Sequence, residues 1–200
     1  GSDTYEETHA NTNDSTIKTV LDNWYQENLL SYSSYISTEA GFCGDREPST
    51  SSSISNGLGG VGIAETYYGT YIRIYVNNMP FFDCANQTDL YLTNESNKGS
   101  KVLDYPIGLI TADEVNYAGG TYGTDNAHYY LYTNQNYWTM SPRNFNHSSI
   151  AIVFIVFSNG HFGNSNVDYS FGVRPVINLY KNVTISSGDG TIDNPYVVGA

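Results

Sequence analysis

The chain has 200 residues and a formal net charge of −12, from 8 Lys and Arg against 20 Asp and Glu. That length fits one domain with a sizeable core, and no basic stripe of the kind that binds nucleic acid is present. Charged residues are only 14% of the chain, so its polarity comes from 19 Tyr and many Asn, Ser and Thr, a composition that gives wide, stiff, amphipathic contact area as on displayed recognition surfaces.

Residues 1–13 hold little to bury and are expected to be a disordered N-terminal segment; residues 14–200 are expected to form a single domain. Asp14 or Ser15 is a good N-cap, and Ile17, Val20, Leu21 and Trp24 follow at i, i+3, i+4 and i+7. This is one face of a helix running to about Leu30, with Trp24 in the core. After a weak Tyr/Ser alternation, Gly41 to Arg46 reads as an ordered turn. Ser49 to Gly60 is Ser- and Gly-rich and reads as an exposed insertion. Tyr67 to Asn77 is β-rich and partly alternating, which predicts a strand.

Thr111-Ala112-Asp113-Glu114 is a capping box, announcing a second helix that Gly119-Gly120 stops within two turns. Tyr105 to Ile110 approaches it as a short strand, and Tyr122 to Asn136 is turn-like. The stretch from Tyr137 to Leu179 holds two apolar runs, Ile150 to Phe157 and Phe171 to Leu179. The Asn-, Ser- and Gly-rich segment between them, Ser158 to Ser170, predicts strand, long loop, strand. Alternation in the first run places one face on the helices and leaves the other free. Lys181 to Ile185 and Pro195 to Val198 flank Gly188-Asp189-Gly190 as a terminal hairpin. Helices early and short strands later give an α+β fold with a small, mostly antiparallel sheet.

Cys43 and Cys84 lack C-x-x-C partners, and His9, His128, His147 and His161 show no ligand spacing, so a disulfide is preferred over two buried thiols. No regular acidic calcium loop appears, so the excess acid reads as a solvated face, with calcium left unsupported and no cofactor expected. No catalytic elbow, zinc-protease or phosphate-loop motif occurs, and the chain reads as a non-enzyme. Arg174, inside an apolar run, must be paired and is expected to anchor a loop. No run of 18 apolar residues occurs, and any export signal or membrane anchor is expected to lie outside this sequence.

Taken together, STIKTVLDNWYQENL, FCGDR, PIGLITADEVNYAGG, YWTMSP and FGVRPVINL followed by SGDGTIDNPYVV resemble a family of surface domains from gut Firmicutes. Those domains often follow a pilin-like helix and are related to the C-type lectin fold of formylglycine-generating enzymes and of retroelement-diversified variable proteins. The resemblance covers residues 14–198. It implies a C-type lectin-like fold, two helices packed on a small twisted sheet with long loops forming a ligand surface. It also implies an extracellular, cell-surface or pilus location, a protein or glycan partner on another cell, phage or host surface, and pilus subunits as further partners.

The variable window of such relatives matches Arg143 to Phe171 here. The late cysteine pair of the enzyme branch and the Glu-Pro-Asn or Gln-Pro-Asp sugar motif of calcium-dependent lectins are both missing. Within the window the expected ligand surface is Asn144, Asn146, His147, Ser148, Ile152, His161, Asp168, Tyr169 and Phe171, with the aromatics as anchors. A structural pilin-like subunit, or an enzyme with an unrecognised site, are the other two readings.

Overall fold

The computed structural model describes residues 14–49, 66–84, 86–93, 102–145 and 150–199. The insertion expected from Ser49 to Gly60 lies almost wholly outside them, as do the first thirteen residues.

Helix α1 spans Thr16–Asn28, and the Ser15 side chain accepts from Lys18 N at its start. Its buried stripe is Ile17, Leu21, Tyr25 and Leu29 rather than the expected one: Val20 and Trp24 are 47% and 39% exposed. Residues four apart advance the stripe only slightly around the helix, and Tyr25 anchors it by stacking on Tyr105 at 5.1 Å. A 3-10 turn, Leu30–Tyr35, then leads to Ile36, which bridges Leu179 and brings the two ends of the domain together.

Three short strands follow, β1 (Phe42–Cys43), β2 (Thr66–Tyr67) and β3 (Leu90–Tyr91), with β1 antiparallel to β3. The strand expected over Tyr67 to Asn77 is mostly helical. Helix α2 (Gly69–Tyr71) runs into a π-helical turn, Ile72–Asn77, that Asn78 ends in the left-handed conformation at φ 50°. Tyr67, Tyr71 and Tyr75 are spaced four apart, with ring centroids 4.7 and 4.9 Å apart in succession. The Arg143 guanidinium lies 4.6 Å from the centre of the middle ring. The Tyr71–Tyr75 stack, at i,i+4 spacing, forms in a helical segment and not in a strand, and it offsets the β preference of the individual residues.

Beyond β4 (Gly108–Leu109), helix α3 (Ala112–Tyr117) carries the complete capping box between Thr111 and Glu114. Gly119, at φ 108°, follows its end, a conformation that favours glycine. Strand β5 (Tyr137–Phe145) is the long centre of a four-stranded antiparallel sheet ordered β2-β5-β6-β7, with β6 at Ala151–Val156 and β7 at Phe162–Asn166. Its register shifts on either side of Pro142, which has no N–H for the ladder. The segment expected as a long loop therefore contains a strand. β6 and β7 form a tight hairpin whose turn holds Gly160 at φ 78°, where a Cβ would overlap the Asn126 carbonyl.

The second apolar run, Phe171 to Leu179, keeps only the short strand β8 (Pro175–Val176), which pairs with β4 instead of the hairpin. The terminal hairpin forms as expected, from β9 (Thr184–Ser187) and β10 (Val197–Gly199). The whole is α+β with a curled antiparallel sheet.

Both faces of that sheet are covered, contrary to the alternation reading. Phe154 and Val156 of β6 pack with Val115 of α3, Ile74 and Phe162. Ile155 packs on the opposite side with Trp138 and with Leu21 and Tyr25 of α1. Phe154, Ile155 and Val156 are all buried, so this end of β6 leaves neither sheet face free.

Candidate functional site

The chain leaves β7 through a turn at residues 167–170 and comes back to the sheet at Phe171. Val167 N donates to Ala151 O (3.1 Å) and Tyr169 N to Asn166 O (3.3 Å), tying the start of this loop to the hairpin. Its end is tied to β5, since Trp138 N donates to Gly172 O (3.1 Å) and Gly172 N to Asn136 O (3.0 Å). The Phe171 ring meets Trp138 at 5.0 Å, edge to face. Tyr169 stacks beside Phe171 at 6.1 Å and stays 58% exposed.

Opposite this loop stand the N-cap and first turns of α1, within residues 14–21. Between them opens a cleft of about 640 Å³, within the ordinary range for ligand sites. Trp138, Met140 and Val153 line it from the sheet, Ile107 and Phe42 from the far wall, and Asp168, Tyr169 and Phe171 from the loop. The two cations at the cleft are engaged by carboxylates: Lys18 bonds Asp22 and lies 3.8 Å from Asp104, and Arg46 reaches Asp89 at 2.6 Å. The arrangement offers apolar and aromatic contact with a polar rim, which is a means of binding.

Three of the nine residues expected on one surface, Asp168, Tyr169 and Phe171, meet at this cleft. His161 does not. It sits at the β6–β7 turn, at the opposite end of β7 from Asp168. Its Nδ1 lies 3.0 Å from Asp125. A row of rings connects the two ends, with successive centroids from Tyr169 to Phe171, Phe157 and His161 at 6.1, 6.4 and 5.6 Å. Phe157, outside the expected nine, is the link.

Asn144 is a correction, because it is only 3% exposed. Its backbone lies between Tyr67 of β2 and Ile152 of β6, and its side chain accepts from Arg143 Nη1 at 2.6 Å, so it serves the sheet. Ile152 is half-buried between Asn144 and Asn166. Asn146, His147 and Ser148 lie outside the described residues.

Ion pairs that local sequence signals do not announce join the segments around Asp45, Arg73 and Asp113. Arg73 donates to Asp113 (2.8 Å) and Asp45 (2.6 Å), and Asp113 also accepts from Phe81 N at 2.8 Å. Burial opposes the Arg73 charge, but the two carboxylates more than offset it and hold the guanidinium firmly protonated. Burial likewise pushes Asp113 and Asp89 above the usual carboxylate range, although Arg73 and Arg46 pull the other way. One signal was available in the sequence, an Asp at the second position of the capping-box helix. Arg174 bonds the Leu131 carbonyl and lies over Tyr137, so it anchors the 122–136 loop.

Cys43 and Cys84 form a disulfide with Cα atoms 5.5 Å apart. Among the described residues no group of three or more His, Cys, Asp or Glu side chains is placed to hold a metal ion. No described helix is long and apolar enough to cross a membrane. No family model, curated protein or solved structure matches the chain.

Proposed function

We propose that this chain is a C-type lectin-like binding domain displayed outside the cell, which takes a protein or glycan partner at the cleft between α1 and the loop at 167–173. The observation that carries this reading is the cleft itself: Asp168, Tyr169 and Phe171, three residues of the variable-window set, line one wall of an apolar space of about 640 Å³. The Tyr-rich composition and the disulfide are compatible with an extracellular setting. The combination of motifs from the early amphipathic helix to FGVRPVINL supports kinship with pilin-associated, retroelement-diversified variable proteins. Binding without catalysis is the role assigned here.

The test has two arms. A panel of glycans and of bacterial, phage and host surface proteins is screened with the wild-type domain, and each partner found is measured again with Tyr169→Ala. A partner whose affinity falls about tenfold or more supports the reading. Absence of any partner across the panel favours a structural pilus subunit instead. Diversification is tested in the gene neighbourhood, where a reverse transcriptase and a near-copy of the 143–171 coding segment are expected.

A further inference from the structure

Outside the lining of the cleft, residues 75–82 (YVNNMPFF) put a run of large apolar side chains into solvent. Tyr75, Val76, Met79, Phe81 and Phe82 are 50%, 52%, 69%, 47% and 58% exposed, and Tyr117 at the end of α3 is 72% exposed. Residues 78–82 adjoin the end of α3. Phe82 meets Tyr117 edge to face at 4.8 Å, and Asn116 Nδ2 donates to Asn78 Oδ1 at 2.8 Å.

The segment is held in place rather than left loose. Asn78 is in the left-handed conformation, Met79 N donates to Arg73 O (2.9 Å), Phe81 N donates to the buried Asp113 carboxylate, and Cys84 is fixed by the disulfide. A braced backbone presenting unsatisfied apolar surface loses little entropy on association.

We infer that this surface is where a second copy of the chain docks. At about 200 Å² for a large side chain, the six residues expose about 700 Å². Two such patches facing each other can bury up to about 1,400 Å², which reaches the range of specific, stable interfaces. The patch is also self-complementary in chemistry. Residues 75–82 carry no charge, and Asn77, Asn78 and Asn116 are amides that both donate and accept, so the same surface can meet itself across a two-fold axis. A lipid surface fits less well, because no Lys or Arg lies in the segment to engage headgroups and the chain carries a net charge of −12.

Sedimentation equilibrium over a concentration series, with the wild type, Met79→Asp and Phe82→Asp, tests this. The wild type should pass from one copy to two as concentration rises. Each variant should keep the wild-type melting temperature and weaken dimerisation about tenfold or more, since it places a charge in an apolar interface. A wild type that remains a single copy throughout overturns the inference, as does a Phe82→Asp protein that dimerises as tightly as the wild type. Flotation with phosphatidylcholine vesicles is run in parallel. A single-copy wild type that floats, with flotation lost in Phe82→Asp, assigns the patch to lipid and also overturns it.

Discussion

The ring of Phe171 packs edge-on against the indole of Trp138 with centroids 5.0 Å apart, and this contact fixes the loop at 167–173 to the core of the sheet. Tyr169, two residues earlier, rests on Phe171 with most of its ring in water. Folding and recognition are thereby divided between neighbouring residues. Phe171→Ala should cost about 2 kcal/mol or more, because it leaves a void over Trp138. Tyr169→Ala should change stability by about 0.5 kcal/mol or less. Denaturant unfolding of the two variants checks this, and equal losses would mean that Tyr169 belongs to the core.

Tyr25, not Trp24, is the anchor of α1. Tyr25 is 2% exposed while Trp24 is 39% exposed, so Tyr25→Ala should cost about 3–5 kcal/mol, the range for removing a large buried aromatic. Trp24→Ala should cost about 1 kcal/mol or less. The comparison is read from unfolding midpoints at constant slope, and the reverse order would show that α1 is seated on its other face.

The disulfide closes a loop of sequence separation 41. On the chain-entropy model a loop of that length contributes about 4 kcal/mol, so reduction should lower the melting temperature by about 10 °C. Mass spectrometry of the unreduced protein under denaturing conditions with an alkylating agent should find no modified cysteine. Two alkylated thiols would contradict the Cys43–Cys84 bond.

Asp113 and Asp89 contribute to the acid side of the stability profile. Burial raises both carboxyls above 3.8 in the fold, so the folded state binds protons more readily than the unfolded chain. Their favourable contribution is fully present below about pH 3.8 and is lost as pH rises through their raised folded values. Between neutral pH and about pH 4 the melting temperature should therefore rise, or resist falling, as acid is added. Asp113→Asn, which keeps an acceptor for Phe81 N, should flatten that dependence. An Asp113→Asn protein with the wild-type profile would remove Asp113 as its source.

Local signals carried the parts of the fold that the sequence made readable. The Thr111–Glu114 capping box, the Gly119 stop and the terminal hairpin around Gly188 to Gly190 each depend on a few neighbouring residues, and each forms. Features that depend on distant partners did not read. Asn164, Ser165 and Asn166 look like loop residues, and they become strand only because β6 supplies the ladder. Tyr71 and Tyr75 have helical spacing, while the β-branched residues around them favour a strand. Alternation along Ile150 to Phe157 was real, but it cannot reveal that α1 covers one face and α3 the other. For the same reason Asn144 reads as surface from its sequence but is buried, whereas Asp168 and Tyr169 sit on an edge loop that lines the cleft.

The claim that recognition lives at the cleft is tested most directly by backbone hydrogen exchange with a partner from the panel bound. The account predicts new protection over residues 167–173 and the first turns of α1, with the β6–β7 turn at 158–161 unchanged. Protection confined to that turn, or to residues 75–82, would contradict it.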